Sequence, residues 1–370
     1  MAKKEEKKAT TSVSLSVVDV ERKYAVDTTE YVGNGDAAVS WGKDNSLCNI
    51  LTAAFDKSPS LAAAINQSCN YVCGDDVIVT DAASNWKEEV NRRHQTMKDI
   101  VNHIVYDYYI YGNFALQLIF NKLGLVTEIY ALDITKCRLN GSRNKVYYNK
   151  KGWSKYSSKT DEYLRFGYND FDPENPTMIL FWNGAGVRRY YNPAPWQSAL
   201  DAVLSEVEAS RYSLSSLVNG FSARYIITFG GDAGANITDE QKSAIEDGIR
   251  NKFCGGADAD SNFMIFYGDD SQTLDVKKIE SDDSPEKFEK MMAISKEAIL
   301  TSLRISPLLL GMGQSVGFAT NEFRDAYKLF DRTVAQPVRN IIEDSINKAI
   351  GVPNGVKIAP FTITFETTEN

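Results

Sequence analysis

Apolar side chains recur along this chain in two rhythms, every third to fourth position in some segments and every second position in others. The first 44 residues are polar, rich in Lys, Glu, Thr and Ser, broken at Gly33-Asn34-Gly35, and read as a flexible arm. Ser58-Pro59 supplies an N-cap and a proline at the first helical position, so a helix is expected from there to about Cys73, where Gly74 ends it. Val90, Met97, Ile100, Ile104 and Tyr108 recur at helical spacing and predict a second helix over about 85–111, closed by Gly112. From 114 to 184 the period shortens to two. FALQLIF (114–120), TEIYALD (127–133), KVYYNKK (145–151), EYLRFGY (162–168) and TMILFW (177–182) are β-branched and aromatic-rich strands with polar turns between them.

Asn192-Pro193-Ala194-Pro195 interrupts the strands, and helical spacing returns in Trp196, Leu200, Val203, Val207, Leu214 and Leu217. Asp201, Ser205, Glu208 and Ser215 fall mostly away from that stripe. A small module follows. ARYIITF (223–229) is a strand, and Thr238 to Gln241 forms a capping box for a helix to about Phe253, which Gly255-Gly256 stops. SNFMIFYG (261–268) and TLDVKKIE (273–280) are two more strands, giving a β-α-β-β order. Ser284-Pro285 opens a helix to about Ile305, which Pro307 ends. After a loop over 308–319, Phe323, Tyr327, Phe330, Val334, Val338, Ile341 and Ile346 form the stripe of a long helix. Pro337 lacks a backbone donor and clashes one turn back, so a kink is expected near Thr333. VKIAPFTITFE (356–366) reads as a closing strand.

Charge divides the chain again. The net charge is −8, yet residues 231–283 hold 13 acidic and 5 basic side chains, so the whole excess lies in the small module. That balance argues against the module gripping nucleic acid by phosphate neutralisation. No apolar run approaches the roughly 20 residues that a bilayer-spanning helix needs. The charged N-terminus lacks the apolar core of a secretory signal, which points to synthesis in the cytoplasm.

Candidate chemistry is sparse. Cys69 and Cys73 lie one helical turn apart without a second cysteine pair, and read as small buried residues of a helix rather than as metal ligands. The two histidines, His94 and His103, share one expected helix, nine positions apart, and do not stack as ligands. Gly313-Gln314-Ser315-Val316-Gly317 fits the G-x-S-x-G nucleophile elbow, but a helix-ending proline precedes it and no histidine follows it. No phosphate-binding glycine loop occurs. The aromatics at 147–168 and 181–182 have only a few basic residues interleaved, so sheet packing accounts for them better than base stacking. The chain is read as non-enzymatic, with no cofactor and no metal.

The order of parts is distinctive: a β-rich domain, an upright helix, a small tip module, a returning helix, a glycine-spaced loop and a long kinked helix. Over about residues 45–350 it resembles the portal proteins of tailed bacteriophages, in the lambdoid long-tailed family. The residues that carry the resemblance are LRISPLLLG (303–311), FATNEFRDAYKLFDRTVAQP (318–337) with the Ile-Ile-Glu helix after it, and NPAPWQSAL (192–200) ahead of the capped module. The resemblance implies an α+β portal-type ring subunit with a β-rich wing, a two-helix stem, a small α/β clip and a long kinked backbone helix. It divides the chain into an arm (1–44), wing (45–192), first stem helix (193–220), clip (221–283), second stem helix (284–306), tunnel loop (307–319) and backbone helix with closing strand (320–370). Only about 20 residues follow the long helix, so a helical crown is absent or vestigial.

As implications of that resemblance, the chain forms a dodecameric ring at one capsid vertex of a virion made in the host bacterial cytoplasm. The ring is the conduit for packaging and ejecting double-stranded DNA, without sequence specificity. Its partners are copies of itself, the major capsid protein, terminase and the head–tail adaptor, and no membrane. Gln314, Ser315, Val316, Gly317 and Phe318 form the tip of the loop in the DNA channel. Lys287 and Lys290 are candidates for cationic contacts in the stem lumen, against the alternative of a solvated helix face. Asp258, Asp260, Asp269 and Asp270 are candidates for partner docking on the clip. A non-portal oligomeric adaptor binding a basic partner through 231–283, and a hydrolase using Ser315, are the competing readings.

Overall fold

The computed structural model describes residues 26–33, 36–154, 160–184, 190–218, 224–229, 263–266, 275–279, 285–312 and 320–362. Three helices and a six-stranded sheet build the body. Helix α1 is Leu47–Lys57, α2 Pro59–Cys73 and α3 Met97–Tyr111. The Ser58 hydroxyl caps α2 by accepting from Leu61 N, and Gly74 ends the helix at φ 62°, as the sequence predicts. After the short strands β1 (Glu30–Tyr31), β2 (Ser40–Trp41) and β3 (Asp76–Val79), the sheet strands are β4 Phe114–Phe120, β5 Val126–Leu132, β6 Cys137–Leu139, β7 Lys145–Tyr148, β8 Asp161–Arg165 and β9 Thr177–Trp182. Their spatial order is β5-β4-β9-β8-β7-β6, antiparallel throughout except for the parallel β8–β9 pair. Alternate residues of β4 enter a core shared with α2 and α3, where Ile65, Ile100, Ile104, Phe114 and Leu116 are fully buried.

One corner joins this body to the rest. Gly112 ends α3 at φ 76°, and a Cβ there would sit 2.5 Å from the Pro193 carbonyl oxygen. Glycine is required twice over, by the left-handed backbone and by the close approach. Buried Asn113 ties the corner together, donating to Asn192 O at 2.8 Å and accepting from Asn192 N at 2.9 Å. From the corner runs α4 (Leu200–Val218), antiparallel to α5 (Pro285–Leu303), and Tyr212 stacks on Phe288 at 4.9 Å near the far end of the pair. Beyond it, β10 (Arg224–Phe229) pairs in parallel with β11 (Phe263–Phe266) and antiparallel with β12 (Asp275–Ile279). A parallel pair needs a crossover connection, and the expected helix over about 238–253 falls between these strands, outside the described residues. The chain returns through α6 (Thr320–Phe330), a π-helical turn (Asp331–Ala335) and α7 (Gln336–Ile350) to β13 (Val356–Ala359), which pairs with β3 (Asp76–Val79).

Several expectations need correction. The second helix begins at Met97, not near residue 85: Asp81–Trp86 is a 3-10 turn, and His94 takes φ 58° in the loop before the Thr96–Asp99 capping box. His94 and His103 therefore do not share a helix. Val90 is buried all the same, because its loop is hydrogen-bonded to the sheet edge through Ile129 N to Val90 O at 3.0 Å. Leu214, assigned to the buried stripe of α4, is 63% exposed. Within the span expected to be a flexible arm, Val39 and Trp41 are buried, Val39 N donates to Leu139 O, and Trp41 stacks on Tyr191 at 4.4 Å. Helix α1 and the short strands β3 and β6 are further elements that the hydrophobic pattern does not predict.

Candidate functional site

The loop after α5 leaves from a rigid root. The Ser306 hydroxyl accepts from Leu308 N at 3.3 Å, Pro307 starts a 3-10 turn to Leu310, and Gly311 reverses the chain at φ 72°. Leu309 is buried, and its carbonyl accepts the Tyr71 hydroxyl of α2 at 3.1 Å. The helix that receives the loop rests on the same tyrosine. The Tyr71 ring meets Tyr327 at 5.2 Å, Phe330 at 5.7 Å and Phe361 at 5.6 Å, and its carbonyl accepts from Arg339 Nη1 at 3.0 Å. Buried Arg339 also binds Asp331 of the π turn at 2.6 Å. One residue at the C-terminal end of α2 thus fixes both ends of the loop.

The other end of α2 holds the helix pair. Glu206 of α4 is buried and accepts from the Ser58 and Ser60 hydroxyls, the latter at 2.5 Å. A carboxylate at a helix N-terminus meets the positive end of the helix dipole, which with two hydroxyl donors offsets its loss of water. Further along the pair, a groove of about 430 Å³ is lined by Asp201, Ala202, Lys290, Met291, Ile294 and Ala298, among others. Ile294 is 58% exposed on this face, and Met291 and Met292 are exposed as well.

The residues singled out from the sequence are distributed unevenly over this frame. Lys290 lies exposed on α5, one turn before Ile294. Lys287 lies on the same helix, and its side chain is outside the described residues. Gln314, Ser315, Val316, Gly317 and Phe318 fall outside the described residues, as do Asp258, Asp260, Asp269 and Asp270. The elements flanking Gly313–Gly317 are a 3-10 turn and an α-helix, whereas a nucleophile elbow needs a strand before it. Cys69 and Cys73 are buried, and desolvation pushes both thiols up, Cys73 to about 12. Among the described residues no helix is long and apolar enough to cross a membrane, and no group of three or more potential ligands could hold a metal.

Sequence reasoning missed Tyr71, Arg339 and Glu206. Only Glu206 left a trace, as a carboxylate beside Val203 and Val207 in the apolar stripe of a helix.

The family model described as "Phage portal protein" matches residues 75–369. No curated protein matches the chain. Among solved structures, a chain in the neck of an empty gene transfer agent (GTA) particle, computed with C6 symmetry, is similar with a TM-score of 0.57 and 16% identity, over 91% of this chain and 88% of that one. A chain in the neck of a native GTA particle, computed with C12 symmetry, gives 0.54 and 15% over 92% and 88%. An HK97-family phage portal protein from Corynebacterium diphtheriae gives 0.52 and 12% over 84% and 94%. At these identities the likeness is one of fold.

Proposed function

The chain belongs to the phage portal protein family, whose model spans most of it, and from this we propose that twelve copies close into a ring at one capsid vertex through which double-stranded DNA enters and leaves. The role is mechanical. Terminase, the head–tail adaptor and the major capsid protein are its other partners, and the virion is its site of action. In this reading 45–192 and 320–370 form the wing, 193–220 and 284–306 the stem, 221–283 the clip and 307–319 the tunnel loop.

The observation that carries the reading is the exposed apolar groove of the α4–α5 pair, where Met291 and Ile294 face water, with Leu214 and Met292 exposed elsewhere on the same short shaft. An apolar surface of that kind marks a contact with another chain, and a head-to-tail contact that closes on itself makes a ring. The similar chains in particle necks computed with C6 and C12 symmetry support the same assembly. Lys290 shares the face with Ile294, one turn away, so we place it where the subunit contact meets the lumen, with Lys287 nearby. The neutral tip Gln314–Phe318 suits a loop that touches moving DNA, since lysines there would add salt-dependent affinity for each phosphate. The Tyr71 anchorage would hold the roots of that loop in place.

Negative-stain class averages of the purified protein test the assembly. Closed rings with a channel wide enough for duplex DNA are expected, and Met291→Glu with Ile294→Glu should leave smaller species that remain folded by circular dichroism. Wild-type particles without closed rotational symmetry would overturn the reading.

A further inference from the structure

A cleft of about 870 Å³ opens between α1 and the β6–β7 side of the sheet, lined among others by Asn49, Thr135, Arg138, Tyr148, Lys151 and Trp153. Arg138 is only 1% exposed, and among the described residues every partner of its guanidinium is neutral. Nε donates to Asn45 Oδ1 at 2.9 Å, Nη1 to the carbonyls of Thr135 at 2.9 Å and Cys137 at 2.7 Å, and Nη2 to Cys48 Sγ at 3.7 Å. A guanidinium has five N–H donors, so one Nη2 donor has no partner among the described residues. Trp41 and Trp153 lie against the group, each ring 5.4 Å from its central carbon, and Trp153 is itself held by Nε1 donating to Lys136 O at 2.7 Å.

A buried cation without a counter-ion is costly, and carbonyl dipoles and aromatic faces offset only part of that cost. The nearby carboxylates are taken: Asp161 is bound to Lys150 at 3.0 Å and Asp133 to Lys136 at 3.2 Å. Lys151, exposed on the cleft wall, has no ion pair among the described residues. Among its described lining residues the cleft therefore presents Arg138, Lys150 and Lys151 against Asp161.

We propose that this cleft is a binding site for an acidic peptide segment of a partner protein, one carboxylate of which completes Arg138 with Lys151 beside it. The single free guanidinium donor suits one carboxylate oxygen, whereas a phosphate group draws on several donors at once. The cleft lies within the 300–1,000 Å³ typical of ligand pockets, more room than a lone anion fills. Tyr148 and Trp153 offer flat walls, and Asn49 and Thr135 offer polar groups for a main chain. Asp161 in the same wall disfavours a nucleic-acid backbone, which carries a charge at every step. This inference does not rest on the ring reading, because it concerns one subunit in solution.

Isothermal titration of the full chain with N-acetyl-tetraglutamate amide, at fixed ionic strength in chloride, is the test. Saturable binding is expected, weakened at least tenfold in Lys151→Glu and unchanged in Lys122→Glu, a reversal at the opposite edge of the sheet. Arg138→Lys, which keeps the charge but loses the planar donors, should weaken binding as well. If that variant does not fold, the lysine pair of variants still decides the matter. Absence of saturable binding to the wild type, or equal losses in the two lysine variants, would overturn the site. Tighter binding of inorganic phosphate or of a 12-nucleotide single strand would overturn its assignment to a peptide.

Discussion

Two buried carboxylates sit in unlike surroundings. Glu206 has two serine hydroxyls and a helix N-terminus around it, whereas Asp107 of α3 is buried with Oδ2 lacking a hydrogen bond. His103 Nε2 lies 3.6 Å from that oxygen, but desolvation lowers the pKa of this imidazole, which opposes its charging. Burial holds the Asp107 pKa well above the usual carboxylate range, the nearby Asp133 adds to the rise, and the Ile134 N–H opposes it. A raised pKa means that the folded chain keeps the proton longer than the unfolded chain does. Stability from this group is complete below the unfolded pKa of ~3.9 and is lost as pH climbs toward the folded value. Asp107→Asn is neutral at every pH, so the variant should gain on the wild type from about pH 4 upward, by at most ~1.4 kcal/mol per pH unit. Denaturant unfolding of both proteins between pH 4 and 8 measures that slope, and a difference that does not change with pH would refute it.

At the scale of elements, the long kinked helix rewards its sequence. Pro337 predicts a break near Thr333, and the π turn over Asp331–Ala335 lies there, leaving Pro337 in the first turn of α7, where its missing donor would have no partner. A proline inside a continuous helix costs about 3 kcal/mol relative to alanine. With the ladder already opened, Pro337→Ala should raise stability by less than about 1 kcal/mol in denaturant unfolding, and a gain near the full helical value would mean that the turn is strained by the ring. Local signals of this kind made α2, the five long strands, the helix pair and the kink readable. Elements whose support comes from afar were not. Helix α1 follows Ser46, which makes no side-chain cap, and β6 is three residues long and held by Val39 across its edge. Trp41 is ordered by Tyr191, 150 positions later, and Glu206 by serines 146 and 148 positions earlier. A carboxylate in an apolar stripe looks like surface until its distant donors are found. The role of the tip residues Gln314–Phe318 is implied by the resemblance to portal proteins, and the structure adds only the anchorage of the roots they extend from.

Across the whole molecule, α2 spans the frame, with the helix pair held at Ser58 and Ser60 and both loop roots held at Tyr71. The distribution of charge has its own logic. The excess of negative charge, 13 acidic against 5 basic residues over 231–283, belongs to the segment of chain that contains β11 and β12. In the ring we propose, twelve such modules would sit together, repelling DNA phosphates while attracting a basic partner surface. Such fields govern the rate of encounter more than the final affinity, and salt collapses them. The screening length falls from about 30 Å at 0.01 M salt to about 8 Å at 0.15 M. Replacing Asp258, Asp260, Asp269 and Asp270 by Asn should therefore slow association with terminase or the head–tail adaptor several-fold at low salt. The deficit should shrink toward the wild type as salt rises, with dissociation nearly unchanged. Association rates followed by surface plasmon resonance across a salt series separate this from a contact role. A deficit that persists at high salt would place these carboxylates in the buried contact itself, and wild-type rates throughout would remove the clip charge from docking altogether.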